Sequence, residues 1–139
     1  MLNYFNNKVP SETQLMSLYE SVGWSSYTAH PERMVSMVKA SWLVLTAYEN
    51  DDLVGLVRLV GDGLTIAYIQ DLLVKPTFQR KGIASELMNR VAQEVRGIRQ
   101  VFITTDATSS NQHVIDFYAS CGFRPVEDVE CVTLARLQN

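Results

Sequence analysis

Hydrophobic residues recur every three or four positions in some stretches of the chain and alternate or cluster in others. The strongest helical pattern runs from Ile83 to Val95, with apolar residues on one side and polar residues on the other. Gly97 follows directly, and a glycine at this place is typical of a helix end. The pattern therefore predicts an amphipathic helix between Ile83 and Gly97.

Two shorter helices are predicted near the start of the chain. Ser11 and Gln14 stand at the spacing of a capping box, in which each side chain bonds the backbone N–H of the other residue. Gly23 is expected to end this helix. Pro31 is expected to open the next one, because its fixed φ suits the first position of a helix. A further helix is predicted over residues 111–121.

Apolar runs bounded by turn residues predict strands. Six such runs occur, at residues 1–6, 42–48, 53–60, 64–74, 101–104 and 129–137. The second, third and fourth runs are separated by short turns and form antiparallel pairs, whereas a helix separates the fourth run from the fifth. This order predicts an α/β sheet with a parallel pair near its middle and a final hairpin.

Composition narrows the class of protein. The 139 residues suit a single domain spanning residues 1–139, and 47% hydrophobic with 19% charged residues indicates a globular chain. A net charge of −3 disfavours a nucleic-acid surface. No apolar run approaches the length that spans a bilayer. Cys121 and Cys131 are expected to be free thiols, which favours a reducing, cytoplasmic location.

A short basic loop precedes the strongest helix. Arg80, Lys81 and the first N–H groups of the helix converge on one place, and Gly82 lets the backbone approach a bulky anion because it carries no Cβ. These residues predict a pyrophosphate site. The alternative is an ordinary capped surface loop. A dinucleotide site is disfavoured, since the chain has no Gly-x-Gly-x-x-Gly and no Gly-Lys-Ser/Thr.

Two motifs resemble those of one enzyme family. Gln79-Arg80-Lys81-Gly82-Ile83-Ala84 matches the acyl-CoA loop Gln/Arg-x-x-Gly-x-Gly/Ala of the GCN5-related N-acetyltransferases (GNAT family). Residues 111–123 resemble the family's Asn-x-x-Ala-x-x-x-Tyr-x-x-x-Gly-Phe helix, with Val114 where alanine is usual. The two motifs stand in the family's order and separation, and the resemblance covers nearly the whole chain.

The resemblance implies a fold and a cosubstrate. The fold is a mixed central sheet flanked by helices, whose two parallel strands splay apart so that the pantetheine arm of acetyl-CoA inserts between them. Here the splayed strands are residues 64–74 and 101–104. The cofactor-binding residues that the resemblance implies are Leu72, Leu73, Val74, Gln79, Arg80, Lys81, Gly82, Ile83, Ala84 and Asn111. No metal is expected, because no cluster of His, Cys and Asp has metal-ligand spacing.

Catalytic roles also follow from the resemblance. Tyr118 occupies the position that protonates the departing coenzyme A thiolate, although a core tyrosine remains the alternative. Asp71 is the first candidate for the base, and a purely structural hydrogen-bonding role is equally open. Two glutamates used as bases by other family members are replaced here by Gln70 and Tyr68.

The acceptor site is expected near the first two helices. Trp24 and Tyr27 place aromatic rings in their connection, where they would hold an amine or plug the core. The function expected is acetyl transfer to a primary amine of a small molecule by direct attack. The alternatives are a protein N-terminal or lysine acetyltransferase and a non-catalytic acyl-CoA sensor. Family members are often dimers, so a homodimer is possible.

Overall fold

A five-stranded mixed sheet organises the first three quarters of the chain. The computed structural model describes residues 1–138. The strands are β1 (Leu2–Asn6), β2 (Leu43–Glu49), β3 (Asp52–Gly61), β4 (Ile66–Val74) and β5 (Gln100–Ile103). They lie in the order β1-β2-β3-β4-β5, antiparallel from β1 to β4 and parallel between β4 and β5. This topology confirms the predicted fold class.

The helices lie close to their predicted positions. They are α1 (Glu12–Ser21), α2 (Ser25–Thr28), α3 (Pro31–Lys39), α4 (Ile83–Glu94) and α5 (Gln112–Ser120). The capping box at the start of α1 is confirmed: the Gln14 N–H donates to Ser11 Oγ at 3.1 Å, and the Ser11 N–H donates to Gln14 Oε1 at 3.0 Å. The short α2 was not predicted. None of the helices within residues 1–138 has the length and apolar character to cross a membrane.

The sheet has a different helical layer on each face. Leu15, Leu18 and Tyr19 of α1 and Met34 of α3 are completely buried in one core, against strands β2 to β4. Helix α4 covers the other face. Gly55 of β3 permits its close approach, because a Cβ built at this position would lie 2.8 Å from Ile83 Cγ2. Burial on both faces explains why β2 and β3 are apolar almost throughout.

The parallel pairing of β4 with β5 is short. It joins Ile66 to Gln100 and ends where Ile69 faces Ile103, whereas β4 itself continues to Val74. Beyond Ile69, β4 pairs with β3 alone among the strands of the described chain. The last residues of β4 therefore have an edge without a sheet partner.

The chain divides into two compact units, Met1–Thr104 and a second that begins at Thr105. The second contains α5 and a short 3-10 helix at Val126–Val129. The expected strand over residues 129–137, and with it the final hairpin, is wrong for the single chain, since residues 131–138 form no regular element. A strand needs a neighbour for its backbone N–H and C=O groups, and no described residue serves as one here.

Candidate active site

The entry of α4 combines an irregular loop with a free helix start. The backbone is left-handed at Arg80 (φ 63°) and again at Gly82 (φ 81°), the residue that precedes the helix. The Glu86 N–H donates to the Gly82 carbonyl at 3.0 Å, so the N–H groups of the three preceding residues have no partner within the helix. A Cβ at position 82 would meet no protein atom within 4 Å. Space for a bulky anion is therefore open in front of these donors.

Two cationic side chains accompany this helix start. Arg80 and Lys81 are exposed, and neither makes an ion pair with any described residue. The Lys81 ammonium lies 5.0 Å from the centre of the Phe78 ring. Positive charge, unpaired N–H groups and the helix dipole all favour an anion at this place. The residues predicted from Gln79 to Ala84 thus meet at the start of α4, although the Ile83 side chain is buried against β3 and can contribute only its backbone.

The end of β4 leads into this loop. Leu73 and Val74 are buried, and Leu72 is half-buried. The Val74 carbonyl accepts a hydrogen bond from Gln79 Nε2 at 3.2 Å, so the Gln79 side chain fastens the loop to the strand. Beside these residues runs the strand edge that β5 leaves unpaired. Such an edge can pair with an extended chain bearing amide groups.

Asp71 lies on β4 in a buried polar cluster. Asp71 is only 3% exposed. Arg58 Nε donates to Oδ2 at 2.8 Å, the Tyr19 hydroxyl donates to the same oxygen at 2.9 Å, and the Tyr27 hydroxyl donates to Oδ1 at 2.7 Å. Arg58 also donates to the Ser41 hydroxyl at 3.3 Å. Both carboxylate oxygens are thus engaged, which favours the structural alternative for Asp71 over the base.

This cluster contains two residues that the sequence analysis missed, Arg58 and Tyr19. Arg58 and Asp71 face each other across the β3–β4 pair. The pattern did contain a hint, because opposite charges interrupt two consecutive apolar strands. Burial, together with the negative charge of Asp71, raises the pKa of the Tyr19 hydroxyl far above its ordinary value. Tyr19 therefore remains a neutral hydrogen-bond donor to the carboxylate.

Trp24 lies beside this cluster, to which Tyr27 belongs through its hydroxyl. Trp24 precedes α2, Tyr27 belongs to it, and both rings pack against Tyr19, with ring centres 5.9 Å and 5.1 Å away. Both residues are half-buried and contact the core beneath α1. Each ring therefore fills part of the core and presents part of its surface outside. This placement is compatible with both predicted roles of the two rings, contact with the acceptor amine and filling of the core.

Tyr118 is a buried residue of α5 in the second unit. Its ring packs against Phe117 and Phe123, with centres 5.6 Å and 6.3 Å away. Burial, with a smaller contribution from Cys121, raises the pKa of Tyr118 to about 12. Among residues 1–138 its hydroxyl has no hydrogen-bond partner. The hydroxyl is thus protonated at neutral pH and free to donate, while its catalytic role stays a prediction.

Asn111 stands directly before α5. Its side-chain amide donates to Thr105 Oγ1 at 3.0 Å and to the Asp106 carbonyl at 2.8 Å, which ties down the loop that enters the helix. Its cofactor-binding role stays a prediction. Cys121 and Cys131 are exposed and free, as expected. Within the described chain, no group of three or more His, Cys, Asp or Glu side chains is placed to hold a metal ion.

Comparison with known proteins identifies relatives across most of the sequence. Residues 12–123 match the model of the acetyltransferase (GNAT) family. An uncharacterised N-acetyltransferase of Porphyra purpurea is 29% identical over 123 residues, covering 85% of this chain and 67% of that protein. The chain spans between 54% and 67% of the length of the curated relatives it matches.

Solved structures share the fold. A GNAT-family acetyltransferase from Streptococcus pneumoniae superposes with a TM-score of 0.83 at 30% identity, covering 99% of this chain and 98% of that one. An aminoglycoside acetyltransferase from an uncultured soil sample, solved in complex with sisomicin, superposes with a TM-score of 0.71 at 22% identity, covering 99% and 97%. The second likeness concerns the fold alone.

Proposed function

Because the chain belongs to the acetyltransferase (GNAT) family, we propose that it transfers the acetyl group of acetyl-CoA to a primary amine. The observation that carries this proposal is the entry of α4, where open space at Gly82 adjoins unpaired N–H groups and two free cations. In this proposal that surface binds the pyrophosphate of acetyl-CoA. The unpaired edge of β4 at Leu72, Leu73 and Val74 then bonds the amides of the pantetheine arm.

The chemistry proposed is direct attack of the neutral amine on the thioester carbonyl. The new C–N bond forms in a tetrahedral intermediate, which collapses by breaking the C–S bond. Tyr118 donates its hydroxyl proton to the sulfur and is later reprotonated from water. The proton lost by the amine passes to water, since Asp71 already accepts three hydrogen bonds. Asp71 acts as a positioning residue that fixes the Tyr27 hydroxyl.

The acceptor proposed is an amine of a small molecule. Trp24 and Tyr27 support this choice, because their partly exposed rings offer an apolar surface that also attracts a cationic amine. One neighbour with this fold is named an aminoglycoside acetyltransferase and was solved in complex with sisomicin, which supports the choice of an amine-bearing small molecule. A protein N-terminus or lysine is the second candidate, and an acyl-CoA sensor without turnover is the third. We place the enzyme in the cytoplasm, where two exposed thiols persist.

A pair of glycine substitutions tests the anion site. Gly82→Val inserts a side chain into the space before α4, while Gly97→Val is the control. Gly97 is also left-handed (φ 91°) with open space around it, but it follows the opposite end of α4. Both variants carry similar backbone strain. We expect titration calorimetry to show acetyl-CoA affinity at least tenfold weaker for Gly82→Val and unchanged for Gly97→Val.

Equal acetyl-CoA affinities of both variants and the wild type would show that this loop does not bind the cofactor. Turnover is measured separately, as free thiol released from acetyl-CoA with a panel of small amines and peptides. Release with small amines supports the first candidate, and release with peptides alone supports the second. Tight binding without release from any acceptor favours the sensor.

A further inference from the structure

Gln70 is the extra residue of an irregular pairing between β3 and β4. Asp71 pairs with Arg58 of β3. Ile69 pairs with Leu59, the next residue of β3, so Gln70 between them has no partner in this register. A residue inserted in this way forms a β-bulge, which bends the strand and redirects a side chain. Gln70 is exposed and directly follows Ile69, the last residue of β4 that pairs with β5, so the bulge lies where the unpaired edge of β4 begins.

The Gln70 amide reaches the hydroxyl of Tyr27. Burial raises the pKa of this hydroxyl most, and a side-chain hydrogen bond with Gln70 opposes the rise. A hydrogen bond lowers the pKa of a phenol when it is donated to the phenol oxygen, because it then stabilises the charged form. The single proton of Tyr27 is already donated to Asp71 Oδ1 at 2.7 Å. Both observations make Gln70 Nε2 the donor and Tyr27 Oη the acceptor.

Buried partners hold this orientation in place. An ionised carboxylate accepts hydrogen bonds and donates none, so Asp71 fixes the direction of the Tyr27 proton. Asp71 is itself held by Arg58 Nε at 2.8 Å and by the Tyr19 hydroxyl at 2.9 Å. An exposed glutamine without such support could exchange the places of its amide oxygen and nitrogen. Here the buried cluster selects one of the two orientations of the Gln70 amide.

The selected orientation turns the amide oxygen of Gln70 away from Tyr27. Since Nε2 points at the Tyr27 hydroxyl, Oε1 lies on the opposite side of the planar amide and remains an acceptor for a ligand. The half-buried rings of Tyr27 and Trp24, whose centres lie 6.1 Å apart, are close by. The amide oxygen therefore adjoins both the aromatic surface and the beginning of the unpaired edge of β4.

We propose that Gln70 Oε1 accepts a hydrogen bond from the acceptor amine and thereby holds the amine nitrogen beside the end of β4. This inference rests on the proposed acetyl transfer, in which the thioester lies along that edge. A neutral primary amine has two N–H groups, so one can bond Gln70 while the nitrogen lone pair attacks the carbonyl. Gln70 neither gives nor takes a proton, and the bonds formed and broken are those of the proposed transfer. Gln70 is thus an amine-binding residue, and the buried cluster is its support.

A pair of glutamine substitutions tests the contact. Gln70→Met keeps the length of the side chain and removes its amide, and Gln93→Met makes the same change at an exposed glutamine of α4. Thiol release is measured at saturating acetyl-CoA with butylamine and with the panel acceptor that reacts fastest. We expect Gln70→Met to raise KM for the amine about tenfold, the upper range for one hydrogen bond between neutral groups. Its kcat, thermal stability and acetyl-CoA affinity should stay near wild type, and Gln93→Met should match wild type throughout.

A double-mutant cycle tests the orientation of the amide. Tyr27→Phe keeps the ring and removes the oxygen that accepts from Gln70. In the Tyr27→Phe background, Gln70→Met should raise KM for the amine less than threefold, because an amide without support no longer holds the amine. An unchanged KM in Gln70→Met, or the same tenfold increase in both backgrounds, would overturn the inference and leave the proposed acetyl transfer intact. A wild type that releases no thiol with any acceptor of the panel would overturn the proposed function, and this inference with it.

Discussion

Neutralising Asp71 should strongly destabilise the fold. Asp71→Asn preserves size and shape, and its carbonyl can still accept from Tyr19 and Arg58 where Oδ2 accepts now. Its amide would face the Tyr27 hydroxyl, which can reverse and accept. The main loss is the charge: the Arg58 guanidinium, 9% exposed as a side chain, stays buried without a counter-ion. Breaking a buried pair costs about 3–5 kcal/mol, and the retained hydrogen bonds place this variant near 3 kcal/mol.

The assay is urea unfolding followed by circular dichroism, in which a loss of about 3 kcal/mol lowers the midpoint by roughly 1–3 M. Asp52→Asn is the matched control. Asp52 forms an ion pair with Lys75 at 2.6 Å, but its side chain is 48% exposed. That variant should lose less than about 1 kcal/mol.

The two roles of Asp71 predict opposite results. If Asp71 is a positioning residue, Asp71→Asn lowers the stability of the fold while the folded variant keeps most of its kcat. The kcat is measured at a urea concentration well below the unfolding midpoint. A loss of stability no larger than that of Asp52→Asn, combined with a kcat lowered by orders of magnitude, would show that our assignment is mistaken and that Asp71 takes a proton in the reaction.

Two further substitutions address the proposed chemistry. Tyr118→Phe should lower kcat about 10²-fold with little change in stability or acetyl-CoA affinity, and rates within twofold of wild type would leave Tyr118 as a core residue. Because burial raises the pKa of Tyr118 to about 12, and the protonated hydroxyl is the donor, wild-type kcat should fall through this group only as the pH rises toward that value. Trp24→Ala should raise KM for the amine about tenfold and leave KM for acetyl-CoA unchanged. Lower stability with unchanged kinetics would instead assign Trp24 to the core.

Features encoded by neighbouring residues could be predicted from the sequence. The capping box of Ser11 and Gln14 depends on two residues three positions apart. The helix that begins after Gly82 follows from the apolar residues that recur every three or four positions. Such features depend only on residues that are close together in the sequence. A single sequence is therefore enough to recognise them.

Features that depend on distant residues were harder to predict. The Arg58–Asp71 pair requires the register of β3 with β4, and Tyr19 joins it from a helix 52 residues away. No residue type marks the point at which β4 and β5 separate. At residues 131–137 the pattern indicated a strand, yet a strand exists only where another chain segment pairs with it. Local preference cannot show whether that neighbour is present.

The close contact between Gly55 and Ile83 limits which amino acids evolution can place at either position. Ile83 is β-branched and stiff about χ1, so its methyl group cannot swing away from a new Cβ on β3. A larger residue at position 55 would have to displace the first turn of α4 or arrive together with a smaller residue at position 83. The two substitutions should therefore be strongly epistatic. Selection on the first turn of α4 thus extends to a position on β3, 28 residues earlier in the chain.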